Sequence, residues 1–245
     1  MRSYAIGDIH GQLDLLRDAH ARIAADRRLT GDSTAPVVHL GDLVDRGPDS
    51  CGVIDYLRAG PANWIVLRGN HDSMFARFLA DPGDHDPALR RDLSWLHPRL
   101  GGLATLQSYG IDASEADAPA DLHAAAIARV PAAHAVYLRN LPLSLERGEA
   151  LFVHAGIRPG IPLDQQSATD LMWIRDSFHV DRRDHGPLIL HGHTPVDRVS
   201  HYGNRVNLDT GAAYGGPLTA VVIEGRDVWD LTKAGRKLLL PHDRL

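Results

Sequence analysis

The chain has a single cysteine, Cys51, among its 245 residues. That scarcity excludes an internal disulfide and any zinc or iron–sulfur site built on several thiolates, so a bound metal has to be held by His, Asp and Asn. No stretch approaches the ~20 apolar residues needed to span a bilayer, and Met1 to Asp8 lack the apolar run of a signal peptide. The expectation is a cytoplasmic protein with no membrane partner. Positive charge is also in short supply: the formal net charge is -5, which argues against a nucleic-acid or membrane-surface role, because those partners select a basic face. Apolar residues, at 44%, suffice for one substantial core, and a single α/β domain covering 1–245 is expected. Histidine is plentiful, with 15 copies that only position can sort.

Short apolar runs recur, each ending abruptly at a glycine beside Asp, Asn or His. Tyr4 to Ile6 precedes Gly7-Asp8, Val37 to Leu40 precedes Gly41-Asp42, and Trp64 to Leu67 precedes Arg68-Gly69-Asn70-His71. Leu151 to Val153 precedes His154-Ala155-Gly156, and Leu188 to Leu190 precedes His191-Gly192-His193. These read as buried strands that deliver polar groups from their C-terminal ends. Leu13, Leu15, Leu16, Ala19 and Ile23, then Val53, Ile54 and Leu57, have helical spacing between the first three runs, so the early chain reads β-α-β-α-β. In such folds ligands collect outside the strand ends. The segment from Ser73 to about Gly148 breaks the rhythm. It is rich in Ala, Leu and Arg, is interrupted by Asp81-Pro82-Gly83-Asp84 and by Ala113 to Asp121, and reads as a helical insertion or cap (73–148) with a mobile loop, over or beside the site. Closing strands are expected at Val206 to Asp209, Leu218 to Ile223 and Val228 to Leu231.

Asp8 and His10, two apart at a strand end between Gly7 and Gly11, can present a carboxylate and an imidazole on one side of the backbone. Taken alone, such a pair is more often a helix cap followed by a surface histidine. Asp42, at the end of the next strand, can bridge two cations and bring them to the ~3.5–4 Å separation used in two-metal hydrolysis. Asn70 adds a carbonyl oxygen, and His154 and His193 add neutral imidazoles. The mixed oxygen and nitrogen set suits Mn, Fe, Zn or Co better than Ca or Mg.

Together, Gly7-Asp8-Ile9-His10-Gly11, Gly41-Asp42-Leu43-Val44-Asp45-Arg46-Gly47, Arg68-Gly69-Asn70-His71-Asp72, His154-Ala155-Gly156 and Gly192-His193-Thr194 resemble, in order and spacing, the phosphoprotein phosphatase branch of the calcineurin-like metallophosphoesterases, in its bacterial serine/threonine protein phosphatases. The likeness is close over the first 72 residues and returns from Leu151 to Thr194. It departs at Ala155, where Gly-Gly usually follows the histidine, and at Asp72, where eukaryotic members carry Glu. The chain is shorter than the eukaryotic catalytic domains, so their regulatory-subunit and toxin-binding surfaces are not carried over. The resemblance implies an α/β sandwich of two mixed β-sheets flanked by helices. It implies two divalent metal ions, manganese foremost with iron, zinc or cobalt as alternatives. Asp8, His10 and Asp42 would hold one ion, and Asp42, Asn70, His154 and His193 the other. Trp173-Ile174-Arg175 resembles the segment whose arginine grips phosphate in bacterial and phage members.

A water or hydroxide bridging two dications is acidified and can attack phosphorus in line. Arg46 and Arg175 can meet phosphate oxygens with their planar forks. His71, next to Asn70, is placed to protonate the leaving oxygen, with Asp45 fixing its tautomer; the plainer reading of Asp45-Arg46 is a local ion pair capping the turn before Pro48. His39 and His191 read as packed imidazoles, Cys51 as packing, and Asp209-Thr210-Gly211 as either support for a metal ligand or a strand-ending turn. The remaining histidines, His20 and His242 among them, have no motif context. Three functions compete. The expected one is phosphomonoester hydrolysis, with a phosphorylated protein or small phosphoester as partner. The second is hydrolysis of dinucleoside polyphosphates such as symmetrical diadenosine tetraphosphate, an activity of bacterial relatives whose second motif tends to lack an aspartate at position 45. The third is a metal-free binding scaffold, against which the full ligand set and His71 argue. Asp45 favours the first, because an alkoxide leaving group needs a proton and a nucleoside diphosphate does not. Arg46 and Arg175 are expected to act on the phosphoryl group, leaving substrate identity to the insertion.

Overall fold

The computed structural model describes residues 1–241, so His242 lies outside the described residues. Apolar runs and helical stripes alternate in the first half: β1 (Arg2–Ile6), α1 (Leu13–Thr30), β2 (Val37–His39), α2 (Ser50–Arg58), β3 (Trp64–Val66) and α3 (Asn70–Ala80). Three helices follow, α4 (Gly102–Ser108), α5 (Pro119–Arg129) and α6 (Ala132–Asn140). The second half holds β4 (Ser144–Arg147), β5 (Ala150–Val153), α7 (Ala168–Trp173), α8 (Asp176–His179), β6 (Leu188–His191), β7 (Ser200–His201) and β8 (Arg205–Asn207). It closes with β9 (Ala220–Glu224), β10 (Asp227–Thr232) and β11 (Gly235–Leu238).

The strands form two mixed sheets, ordered β11-β10-β9-β1-β2-β3 and β4-β5-β6-β8-β7. Within the first, β1, β2 and β3 are parallel; within the second, β5, β6 and β8 are parallel. Strand periodicity explains the layering. Ala5, Val38, Leu40 and Leu67 face Phe152, Leu190, Val206 and Leu208 between the sheets. Tyr4 and Ile6 point the other way, into a core completed by Leu16 and Ile23 of α1 and Val53 and Ile54 of α2. On the far side of the second sheet, Leu151 and Val153 pack with Ile157, Leu171 and Phe178. Each large side chain so buried contributes roughly 1.5–3 kcal/mol. Among the described residues, no helix is long and apolar enough to cross a membrane.

The 73–148 boundaries of the expected insertion need correction. Ser73 lies inside α3, and Ser144–Arg147 is β4, an edge strand antiparallel to β5. The segment between the sheets runs from residue 81 to 141 and carries α4 to α6 after a stretch of turns. Edge strand β4 escapes a sequence reading because its Ser, Glu and Arg alternate with a single Leu and carry little apolar signal.

Two of the histidines without a motif form part of the core. The Nε2 atoms of His20 and His39 are 2.9 Å apart, His20 Nδ1 is 3.2 Å from Tyr56 Oη, and His39 Nδ1 is 3.1 Å from the Ile65 carbonyl. Trp64 stacks on His20 at 3.9 Å. One assignment satisfies every group: the Tyr56 hydroxyl donates to His20 Nδ1, His20 Nε2–H donates to His39 Nε2, and His39 Nδ1–H donates to Ile65 O. Both rings are then neutral, in keeping with burial that lowers His20 to about 3 and His39 to about 4. A depressed folded-state value means that the unfolded chain binds the protons more readily. The stability these rings contribute is therefore present above the unfolded value of about 6.5 and lost as pH falls toward about 4. Urea midpoints at fixed metal content should drop between pH 7 and pH 4, and less steeply in the double variant His20→Gln/His39→Gln; identical pH slopes would show that the pair does not contribute.

Candidate metal centre

Six parallel strand ends converge on one crevice. Asp8 and His10 follow β1, Asp42 follows β2, and Asn70 and His71 open α3 after β3. His154 follows β5, His193 follows β6, and Asp209 follows β8. All eight side chains are buried. Among the described residues, five non-glycine residues have positive φ: His10, Asp42, Asp45, Arg46 and His193. Such backbone is sparsely populated and costs about 1–3 kcal/mol per residue, so its confinement to this crevice marks a functional constraint.

The imidazoles are oriented from behind. His10 Nδ1–H donates to Val44 O at 2.7 Å and His154 Nδ1–H donates to Leu40 O at 2.9 Å, which leaves each Nε2 lone pair facing the crevice. Burial lowers the pKa of His10, His154 and His193, so these rings are neutral and ligand-competent. Asn70 Oδ1 lies 2.9 Å from both His154 Nε2 and His193 Nδ1, and Asp42 Oδ1 lies 3.4 Å from His154 Nε2. On the other side, Asp42 Oδ2 is 3.5 Å from His10 Nε2. Asp42, His154 and His193 form one compact group of ligand atoms, and His10, Asp42 and His71 form a second. Asp8 belongs to neither group: its Oδ2 accepts from His193 N–H at 2.9 Å, and its buried Oδ1 has no hydrogen-bond partner.

That orphaned oxygen, the lone pairs and the crowded carboxylates fit divalent metal. Burial, then Asp209 and Asp42, raise the Asp8 carboxyl well above its usual range. Asp209, also buried, is raised to about 6 by burial and by Asp42, while Gly211 N–H on its Oδ1 acts the other way. The Asp209 motif thus builds a turn and also stands in the field of the crevice.

His71 Nδ1–H donates to Asp45 Oδ2 at 2.6 Å, so Asp45 engages His71 instead of pairing locally with Arg46. Arg46 turns inward, with Nη1 2.6 Å from His10 Nε2 and Nη2 2.9 Å from His71 Nε2. Arg175 approaches from the opposite side, its Nε donating to His193 Nε2 at 3.1 Å. His39 and His191 are packed and hydrogen-bonded away from the ligands, His191 through Arg205 Nη1 at 3.1 Å. Cys51 is half-buried near Asp55, and burial raises its thiol.

Asp72 closes the third motif but its role shows only in the structure, and Trp95, Thr105 and Tyr214 lie outside every motif. Asp72 uses both oxygens on backbone, accepting from Leu43 N–H and Gly69 N–H at 2.8 Å each, and so ties the β2 loop to the start of α3. Trp95 and Thr105 reach Asp45 from the 81–141 segment, where the Gly101-Gly102 pair is the one local signal of close packing. Tyr214, 66% exposed, stands at the rim with its ring centroid 5.3 Å from Arg46 Cζ.

A family model described as calcineurin-like phosphoesterase matches residues 1–223, and the chain belongs to that family. It is a metallophosphoesterase, of a family that uses a dinuclear metal centre. Among its relatives are the asymmetrical bis(5'-nucleosyl)-tetraphosphatase PrpE of Anoxybacillus flavithermus, 29% identical over 88% of each chain. Serine/threonine-protein phosphatase 1 of Salmonella typhimurium is 28% identical over 90% of this chain and 91% of that protein. The fold is shared with the crystal structure of a putative diadenosine tetraphosphatase, at a TM-score of 0.63, 21% identity, and 94% and 92% coverage.

Asp42 faces both groups of ligand atoms, so Asp42→Asn, which removes the charge but keeps the shape, should weaken binding of both ions and abolish turnover. Metal content after dialysis and activity on an aryl phosphate test this together; a variant retaining two tight metals and normal rate would exclude the shared role.

Proposed function

We propose that this chain is a phosphomonoesterase acting on phosphoserine and phosphothreonine in proteins and on small phosphoesters. Asp8, His10, Asp42, Asn70, His154 and His193 are its metal ligands, manganese foremost. When bound, two such ions would activate a water as nucleophile and neutralise charge on the phosphoryl oxygens. The remaining chemistry belongs to the chain's own side chains. Arg46 and Arg175 grip phosphoryl oxygens from opposite sides and meet charge that develops there. His71 as imidazolium gives its Nε2 proton to the departing alkoxide and keeps Nδ1–H on Asp45. Arg46 Nη2, now 2.9 Å from that Nε2, has to turn to the phosphoryl group for the transfer to occur.

The observation that carries the choice of a monoester is the 2.6 Å bond between His71 and Asp45. An acid so oriented serves an alkoxide leaving group and is superfluous for a nucleoside polyphosphate, which departs as a stable anion. A second reading, dinucleoside polyphosphate hydrolysis, is favoured by the name of the Anoxybacillus relative. Assay of manganese-loaded protein on a phosphopeptide panel against diadenosine tetraphosphate separates the two, since preference for the dinucleotide by kcat/KM would reverse the assignment.

His71→Asn should depress kcat/KM on alkyl phosphates far more than on p-nitrophenyl phosphate, whose leaving group needs little protonation. Equal losses would remove His71 from the acid role. Arg46→Ala and Arg175→Ala should each cost about 2–4 kcal/mol of transition-state stabilisation on every monoester alike. A change in the ranking of peptides without a general loss would place these arginines on the rest of the substrate.

A further inference from the structure

We infer that Trp95 and Thr105 are positioning residues for proton delivery, holding the Asp45 carboxylate so that it fixes His71; this rests on the reading of His71 as general acid. Trp95 is buried and donates Nε1–H to Asp45 Oδ2 at 2.9 Å, the same oxygen that accepts from His71. Thr105 is fully buried, donates its hydroxyl to Asp45 Oδ1 at 2.7 Å and accepts Asp45 N–H at 2.8 Å. Three donors therefore meet a carboxylate that has no solvent exposure. The carboxylate can then present only an acceptor to His71, so the Nδ1 proton stays directed at Asp45 and Nε2 is the nitrogen left to face the substrate.

The arrangement closes on itself through packing. Trp95 stacks on Phe75 with ring centroids 5.1 Å apart and lies 4.7 Å from Phe78, and both phenylalanines sit on α3, whose first turn carries His71. The path from His71 through Asp45 and Trp95 thus returns to the helix that bears His71. Gly101 O accepts Arg46 N–H at 3.2 Å, and a Cβ at Gly101 would overlap the Arg46 backbone. A Cβ at Gly102 would overlap Trp95. Residues 95–105 accordingly brace both consecutive left-handed residues, Asp45 at φ 73° and Arg46 at φ 69°. The segment expected to govern substrate choice alone also governs the geometry of proton delivery.

The test uses the full, manganese-loaded chain and compares Trp95→Phe, Thr105→Val, Asp45→Asn, His71→Asn and the double variant Trp95→Phe/Asp45→Asn. Each is read by kcat/KM on a phosphoserine peptide and on p-nitrophenyl phosphate. Trp95→Phe and Thr105→Val should lower the peptide reaction about tenfold or more and the aryl reaction by less than about threefold. Trp95→Phe should add nothing further in the Asp45→Asn background, because the indole acts through that carboxylate. Thr105→Ser, which restores the hydroxyl, should recover the peptide rate; if Trp95→Phe does not fold, the Val and Ser variants at 105 decide alone. Equal losses on both substrates, or full additivity with Asp45→Asn, would overturn the inference. Should His71→Asn itself slow both substrates equally, the acid reading falls and the inference with it. Should His71→Asn discriminate while Trp95→Phe and Thr105→Val do not, the inference alone falls.

Discussion

Like charges buried close together are the constraint on which this crevice depends. Asp8, Asp42, Asp72 and Asp209 are each at most 4% exposed, and unit charges about 4 Å apart repel by roughly 4 kcal/mol even at an effective dielectric near 20. The chain meets this repulsion in two ways. Asp72 is given two backbone N–H donors and serves as a tie between loops. Asp42 is instead left among neutral imidazoles, and Asp8 keeps one oxygen without any partner, an arrangement that cations stabilise and that hydrophobic packing could not.

Backbone strain follows from the same demand. A strand end that must aim successive side chains into one crevice cannot stay extended, and five residues take left-handed conformations to do so. Glycines make room for them. A Cβ at Gly69 would overlap Asp42, and one at Gly192 would overlap Asp8 Oδ1. The glycines that punctuate the motifs are thus sites of close approach, and their regular placement after apolar runs reflects how tightly three strand ends of each sheet are drawn together.

Much of this was legible in the sequence because strand-end delivery is local. Asp8, His10, Asp42, Asn70, His154 and His193 each follow an apolar run within a few residues, so pattern places them at strand ends, and it is the family resemblance that singles them out as candidate ligands. The sixth strand end, carrying Asp209, was harder to read, since a strand of three residues followed by Leu-Asp looks the same whether it supports a site or makes a turn. Trp95 and Thr105 were not legible at all. They reach Asp45 across 50 and 60 residues of chain from a segment without strand periodicity, and nothing nearby distinguishes Trp95 from an ordinary core aromatic. The β4 boundary failed for the converse reason: its pairing is local to β5, but its residues are too polar to signal a strand.

The two sheets contribute ligands to a common group, Asp42 from one and His154 and His193 from the other, so the spacing of the ligand atoms is set by whatever fixes the distance between sheets. That spacer is the inner core, where Val38 and Leu40, just before Asp42, face Phe152 and Leu190, just before His154 and His193. Protein interiors are packed to crystal-like density and adjust little to a change of one methylene. The residues nearest the ligands in sequence are thus also the ones whose volume spaces the sheets. Geometry at the centre is consequently a property of apolar packing as much as of the polar residues themselves, and the motifs are short because the precision they need is supplied by the strands that precede them.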